Sequence, residues 1–240
     1  MPQFLISLSN ITDNIVTICD KENYHHLTRS LRIKVGETLK VIDEKEMVYQ
    51  TEIIDINSSE IKAKIISSQQ SFRKLNFNLT LAQGILHSDA QNFVIQKATE
   101  LGVSNIIPVI TDNCAVKKDI AQKKAEKWQR IAIEAFKQCE RANIPQISSV
   151  INLKDIDFSQ YDKVIVCSEI EREKTFKHVD LKNAQNILLI IGVEGGFSKQ
   201  EFDFFEQEKF DMISLGNLIL KAETAVISAV STLVYEKENG

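Results

Sequence analysis

The stretch ILLIIGVEGGFSKQEF, residues 187–202, decides the fold class of this chain. Its unbroken apolar run, residues 187–191, is typical of a strand that is buried on both faces of a parallel sheet. Ser198 and Glu201 then match the S-x-x-E capping box that begins a helix. A buried strand, a glycine-rich turn and a helix start together predict the ligand-binding edge of an α/β sheet.

The turn between this strand and this helix places one carboxylate among three glycines, in the order Gly192-Val193-Glu194-Gly195-Gly196. Glycine allows a positive φ and a close backbone approach, and a helix start offers free N–H groups. The dinucleotide fingerprint G-x-G-x-x-G does not match this turn, and no G-K-[ST] triplet occurs in the sequence. The spacing alone therefore fits a ligand site and a tight turn without a ligand equally well.

The remaining chain predicts two domains. Short strand-like segments fill residues 1–70, which favours a small β-barrel interrupted by one short helix that carries Arg29 and Arg32. Strands alternate with helices over residues 71–240, which predicts an α/β domain with a mostly parallel sheet. Its longest helix is predicted over residues 119–141, with Asp119 and Gln122 as a capping box.

A second motif, ISLGNLILKAETAVISAV, covers residues 213–230. Its apolar link, residues 217–220, is unusual because loops are normally polar and exposed. A buried loop needs hydrogen-bond partners for its backbone, and a ligand such as an adenine would supply them. The last helix, near residues 222–236, carries small apolar residues over a wide arc, which predicts a subunit interface. Glu223 near its start also fits a simple capping carboxylate.

Bulk properties favour an ordinary globular protein of the cytosol. The net charge is −4, hydrophobic residues make up 43%, and no apolar run reaches the roughly 18 residues of a membrane span. The four cysteines lie far apart without a C-x-x-C pair, and the four histidines are scattered. We therefore expect reduced thiols, a cytoplasmic location and no metal site.

Four segments in this order resemble the RsmE family of 16S ribosomal RNA methyltransferases, within the SPOUT superfamily. They are IQKATELGVSNIIPV, KWQRIAIEAFKQCERANIPQI, IGVEGGFSKQEF and SLGNLILKAETAVISAV. The resemblance covers residues 77–236, and residues 1–70 look like that family's PUA-like RNA-binding β-barrel. It implies a SPOUT domain with a deep trefoil knot, a homodimer through that domain, and S-adenosylmethionine as cofactor. The implied reaction methylates N3 of a specific uridine in the 16S rRNA of the small ribosomal subunit.

The same resemblance implies the site residues. The cofactor candidates are Gly192, Val193, Glu194, Gly195, Gly196, Leu215, Gly216, Leu218, Leu220, Ala222, Glu223, Thr224 and Ala225. Glu194, Lys221 and Glu223 are the catalytic candidates, because uridine N3 must lose a proton and the resulting anion benefits from a cation. Arg29, Arg32 and Arg141 are the candidates for RNA phosphates.

Some positions depart from the family's usual pattern. Val193 stands where G-P-E-G-G has proline, Lys221-Ala222 replaces the arginine and threonine of L-R-T-E-T, and Gln3 stands where an arginine is common. Lysine keeps the charge of arginine but loses its planar fork. Two alternatives therefore stay open: a weakly active or inactive RNA-binding or ribosome-assembly factor, and a SPOUT methyltransferase with another RNA target.

Overall fold

The computed structural model describes residues 3–239, and the chain divides into two compact units. The first unit comprises Met1–Lys74 and Phe136–Asn143, and the second comprises Leu75–Ala135 and Ile144–Gly240. Residues 1, 2 and 240 of the two predicted domains lie outside the described residues. Residues 136–143 belong to the first unit although they follow a long segment of the second. The sequence does not reveal this, because most of them continue the helix predicted over residues 119–141.

The first unit is built on a six-stranded sheet in the order β1-β4-β5-β6-β3-β2. The strands are β1 (Gln3–Leu5), β2 (Ile11–Thr12), β3 (Ile15–Ile18), β4 (Thr38–Ile42), β5 (Met47–Ile56) and β6 (Ile61–Gln70). Only the β1–β4 pair is parallel among these neighbours. In β6, Ile61 and Ala63 are fully buried while Lys64 is exposed, as expected for a strand with one face on a core.

The predicted short helix of this unit has two parts. The helix α1 (Lys21–His25) begins at Asp20, whose side chain accepts a hydrogen bond from Asn23 N. It continues as a π-helix, His26–Leu31, which ends at Arg32 in the left-handed conformation with φ of 52°. Arg29 and Arg32 are both exposed on this segment.

The second unit contains a sheet in the order β10-β8-β7-β12-β11-β13, with β9 beside β8. Its strands are β7 (Asn78–Gly84), β8 (Asn105–Ile110), β9 (Gln146–Ile147), β10 (Ile151–Asn152), β11 (Lys163–Cys167), β12 (Asn186–Ile191) and β13 (Asp211–Ile213). Every pairing among these described strands is parallel, which confirms the predicted α/β class. The apolar run of the opening stretch is the central strand β12, and residues 187–190 are fully buried.

The remaining helices are α2 (Ser88–Glu100), α3 (Lys118–Gln122), α4 (Ala125–Cys139), α5 (Lys199–Gln207) and α6 (Ala222–Asn239). Short 3-10 turns cover Leu8–Asn10, Leu153–Asp155, Phe158–Gln160 and Phe176–His178. No helix among residues 3–239 combines the length and apolarity needed to cross a membrane.

The prediction of one continuous helix over residues 119–141 is wrong. The chain forms a tight turn between α3 and α4, where Lys124 N donates to Ala121 O at 2.8 Å. The Gln122 side chain accepts from Val150 N at 2.8 Å instead of capping the helix, and Lys117 precedes α3 without a side-chain cap. A tertiary hydrogen bond has thus replaced the predicted local one.

Candidate functional site

A cavity of about 710 Å³ opens in the second unit at the carboxyl ends of β11, β12 and β13. Parallel α/β sheets bind ligands at this edge, and the volume lies within the usual range for small-molecule sites. The lining residues come from three segments and α2. They are Ala90, Cys167, Ser168, Glu169, Arg172, Ile191, Gly192, Val193, Glu194, Gly195, Gly196, Ser214, Leu215, Gly216, Leu218, Ile219, Leu220, Lys221, Ala222, Glu223 and Ala225.

The structure brings the two sequence motifs together around this cavity. Every cofactor candidate from the sequence lines it except Thr224, which is exposed outside the lining. The catalytic candidates Glu194, Lys221 and Glu223 also line it. Sequence reasoning missed the segment after β11, because Cys167, Ser168 and Glu169 carry no recognisable motif.

The glycine turn, residues 192–197, is held in one shape by its own backbone and by a neighbouring loop. Gly196 N donates to Val193 O at 2.9 Å, and Gly196 has φ of 66°, in the region that favours glycine. The Asn113 side chain donates to the carbonyls of Gly195 and Gly196 at 3.0 and 3.3 Å. The turn is therefore well defined without the proline that Val193 replaces.

The end of β7 packs directly against this turn. A Cβ at Gly84 would lie 2.9 Å from both Gly192 C and Val193 N, closer than real Cβ atoms come to a backbone. The buried Gln83 side chain donates to Gly84 O at 2.8 Å and to Gly192 O at 3.2 Å. This close approach explains a glycine that the sequence did not single out.

The predicted capping box at the start of α5 is confirmed. Ser198 Oγ accepts from Glu201 N at 3.1 Å, and Glu201 Oε2 accepts from Ser198 N at 2.8 Å. Glu201 is only 2% exposed, and its Oε1 accepts from Asp112 N at 3.0 Å, which ties α5 to the end of β8. The N–H groups of Ser198 and Glu201 are consequently satisfied within the protein.

The link at residues 217–220 differs from its prediction. Leu218 and Ile219 are 79% and 89% exposed, so the link is not buried within the chain itself. It leaves the sheet through a turn in which Gly216 N donates to Ser214 Oγ at 3.2 Å. The physical reason is that the link runs along the cavity mouth, where its apolar side chains line the opening.

The cavity carries both signs of charge. Glu169, Glu194 and Glu223 line it together with Arg172 and Lys221. Burial raises the pKa of the Cys167 thiol, which disfavours the thiolate that a cysteine nucleophile requires. Among residues 3–239, no group of His, Cys, Asp and Glu side chains is arranged to hold a metal ion.

The three arginines predicted to contact RNA lie in the first unit and have different environments. Arg29 and Arg32 are exposed. Arg141 is only 6% exposed, its Nη2 donates to Asn143 Oδ1 at 2.9 Å, and burial lowers its pKa to about 10. This burial disfavours a phosphate contact because little of the side chain is accessible, and the RNA-binding role of Arg141 stays a prediction.

Comparison with known proteins finds family models that match most of the chain. A family model described as "RNA methyltransferase domain" matches residues 73–234, and one described as "RNA methyltransferase PUA domain" matches residues 18–66. Ribosomal RNA small subunit methyltransferase E from Buchnera aphidicola is 31% identical over 226 residues, which cover 92% of this chain and 90% of that protein. This chain belongs to the ribosomal RNA small subunit methyltransferase E family.

Two further members support the same family assignment. The methyltransferase E of Aquifex aeolicus is 31% identical over 222 residues, covering 92% of this chain and 94% of that protein. The crystal structure of methyltransferase E from Neisseria gonorrhoeae, bound to S-adenosyl methionine, is similar with a TM-score of 0.84 and 27% identity. That similarity covers 98% of each chain, so family membership extends over both units.

Proposed function

We propose that this protein is an S-adenosylmethionine-dependent methyltransferase that methylates N3 of a specific uridine in the 16S rRNA of the small ribosomal subunit. One observation carries the proposal: the glycine turn 192–197 and the segment 214–225 form two walls of a single cavity. Both segments lie in a chain of the methyltransferase E family, one of whose members has been solved with S-adenosyl methionine bound.

The cavity fits this cofactor in size and in chemistry. The glycine turn offers bare backbone, and the segment at residues 214–220 offers further N–H and C=O groups beside apolar side chains. We assign the predicted set that lines the cavity to cofactor contacts, namely Gly192, Val193, Glu194, Gly195, Gly196, Leu215, Gly216, Leu218, Leu220, Ala222, Glu223 and Ala225. Thr224 lies outside the lining, and its contact with the cofactor stays a prediction.

Bound S-adenosylmethionine supplies an activated methyl group on a positively charged sulfur, so the transfer itself needs no metal ion. Glu194 or Glu223 would accept the proton that leaves uridine N3, and Lys221 would stabilise the negative charge that develops on the uracil ring. All three side chains line the cavity, which gives them access to a base that enters it. Holding that base in line with the methyl group would supply much of the rate enhancement.

We propose that the first unit is a PUA-like β-barrel that binds rRNA through Arg29 and Arg32. The π-helix and the left-handed Arg32 support this role, because uncommon backbone conformations persist mainly where function requires them. The exposed Leu31 and Val35 beside these arginines would add apolar contacts to the phosphate contacts.

We further propose that the second unit is a SPOUT domain with a deep trefoil knot and that it dimerises through this domain. The juxtaposition of residues 192–197 with residues 214–221 at one cavity agrees with a knotted arrangement. The exposed Leu218, Ile219 and Tyr235 provide apolar surface for a second copy of the chain. A ribosomal substrate also supports the proposal of a cytoplasmic location.

Methyl transfer to rRNA tests the proposal. Purified protein, labelled S-adenosylmethionine and either small subunits or free 16S rRNA lacking the modification should give one labelled uridine, with the methyl group mapped to N3 by mass spectrometry. Binding of the cofactor without transfer to either RNA would instead indicate an assembly factor. A ribose methyl group, or a label on tRNA, would indicate a different RNA target.

A further inference from the structure

The segment after β11 completes the cavity wall between the two motifs. Because β11 lies between β12 and β13 in the parallel sheet, its carboxyl end opens between the glycine turn and the segment at residues 214–221. Glu169 and Arg172 of this segment line the cavity. Neither residue belongs to a motif that the sequence revealed.

This segment is held rigidly by the protein's own hydrogen bonds. It is fastened to the end of β13 on both sides, since Ser168 N donates to Ile213 O at 2.8 Å and Ser214 N donates to Lys174 O at 2.7 Å. Between these points, Glu171 Oε1 accepts from three successive N–H groups, those of Arg172, Glu173 and Lys174, at 2.8, 2.8 and 3.2 Å. The backbone that carries Glu169 is thus preorganised.

The Glu169 carboxylate lies against the glycine turn. Its Oε1 accepts from Phe197 N at 3.2 Å, and a Cβ at Gly196 would collide with the same oxygen. The carboxylate therefore occupies the space that any side chain at position 196 would take. A side chain at position 196 would therefore displace the Glu169 carboxylate and would also be strained by the positive φ.

We propose that Glu169 is a charge-selecting residue of the methyl-donor site, a role that rests on the proposed function. One carboxylate oxygen fixes the turn through Phe197 N, and the negative charge favours the donor, whose sulfur is positive, over S-adenosylhomocysteine, whose sulfur is neutral. Glu169 differs from Glu194 and Glu223 in having an orientation set by this bond to the turn. This preference would favour the exchange of the product S-adenosylhomocysteine for a new molecule of S-adenosylmethionine.

Titration calorimetry on matched variants of the full chain tests this role. Glu169→Gln keeps an oxygen that accepts from Phe197 N and removes the charge, whereas Glu169→Ala removes both. Glu173→Gln removes a charge from the same segment outside the cavity lining and serves as the control. Each variant is titrated with S-adenosylmethionine, with S-adenosylhomocysteine, and with sinefungin, which carries an amine in place of the sulfonium methyl.

We expect Glu169→Gln to lower the affinity for S-adenosylmethionine and for sinefungin by roughly fivefold, which is the upper end for a partly exposed ion pair. The affinity for S-adenosylhomocysteine should be nearly unchanged. Glu169→Ala should also lower the affinity for S-adenosylhomocysteine, because Phe197 N in the turn loses its hydrogen-bond acceptor. Glu173→Gln should bind all three ligands like the wild type. Equal weakening of all three ligands in Glu169→Gln, or no weakening, would overturn the charge-selecting role. Failure of the wild type to bind any of them would overturn the proposed function instead.

Discussion

Gly196 in the cavity wall is constrained by its backbone conformation and by a neighbouring side chain. Its φ of 66° excludes most side chains, and the Glu169 carboxylate fills the space beside its Cα. Gly195 is less constrained, because the nearest atom to a Cβ there would be Asn113 Cβ at 3.3 Å. The two adjacent glycines therefore differ in what a substitution would disturb.

The change Gly196→Val should abolish detectable cofactor binding. A β-branched residue is strained by about 1–2 kcal/mol or more at this φ, and its Cβ would displace Glu169 from Phe197 N. Titration calorimetry with S-adenosylmethionine measures the effect, and Gly36→Val, at a positive-φ glycine of the first unit outside the cavity lining, is the matched control, which should retain binding. Wild-type affinity in Gly196→Val would show that this turn is not part of the cofactor wall.

Cys167 lies at the cavity wall without the reactivity of an accessible thiol. Burial raises its pKa, so its thiolate fraction stays small near pH 8, where ordinary thiols begin to ionise at a pKa of about 8.5. We expect iodoacetamide to modify the exposed Cys19 well before Cys167, as followed by peptide mass spectrometry. Preferential alkylation of Cys167 would contradict this picture and would reopen a role for it in catalysis.

Among the secondary-structure elements, α5 depends on contacts outside itself. Its capping box joins Ser198 and Glu201, and the same Glu201 carboxylate accepts from Asp112 N at the end of β8. The break between α3 and α4 has a related cause, because Gln122 bonds to Val150 N instead of to its own helix. Side chains that can cap a helix locally are thus also available to neighbouring segments.

Substitution of Ser198 by alanine should destabilise the second unit by about 1 kcal/mol, the usual cost of losing an N-cap hydroxyl. Urea unfolding measures the change in the free energy of unfolding. Ser198→Thr retains the hydroxyl and should remain close to the wild type. Equal stability of the alanine and threonine variants would mean that the cap contributes little to this helix.

At the scale of the whole molecule, the two proposed tasks lie in separate units of one chain. The cavity is formed by residues of the second unit alone, and the exposed Arg29 and Arg32 belong to the first. Changes in one unit should therefore affect one kind of binding and spare the other. Arg141, buried in the first unit, is expected to matter for stability.

Replacement of Arg32 by alanine should weaken binding to 16S rRNA and leave the affinity for S-adenosylmethionine unchanged. Loss of one phosphate contact should reduce the slope of log affinity against log salt concentration by about one. Filter binding over a salt series measures both quantities, and Arg32→Lys, which keeps the charge, is the control. Undiminished RNA affinity in Arg32→Ala would remove Arg32 from the proposed RNA surface.

Local sequence patterns predicted much of the fold and part of the cavity. The apolar run of β12 and the capping box of α5 depend on neighbours a few residues apart, and local sequence patterns report such contacts directly. The cofactor candidates rest instead on the family resemblance, and the structure shows that both motifs follow strands whose carboxyl ends share one sheet edge. The resemblance to a known family supplied the cofactor and the reaction, which spacing alone left undecided.

The sequence by itself determined the parallel α/β class, the position of the cavity walls and the family. Only the tertiary structure decided that Glu169 packs against Gly196, that Gly84 must be a glycine, that Arg141 is buried, and that residues 136–143 join the first unit. The physical reason is distance along the chain. These features depend on contacts between segments that lie tens of residues apart, and no local periodicity or capping pattern records which distant segments will meet.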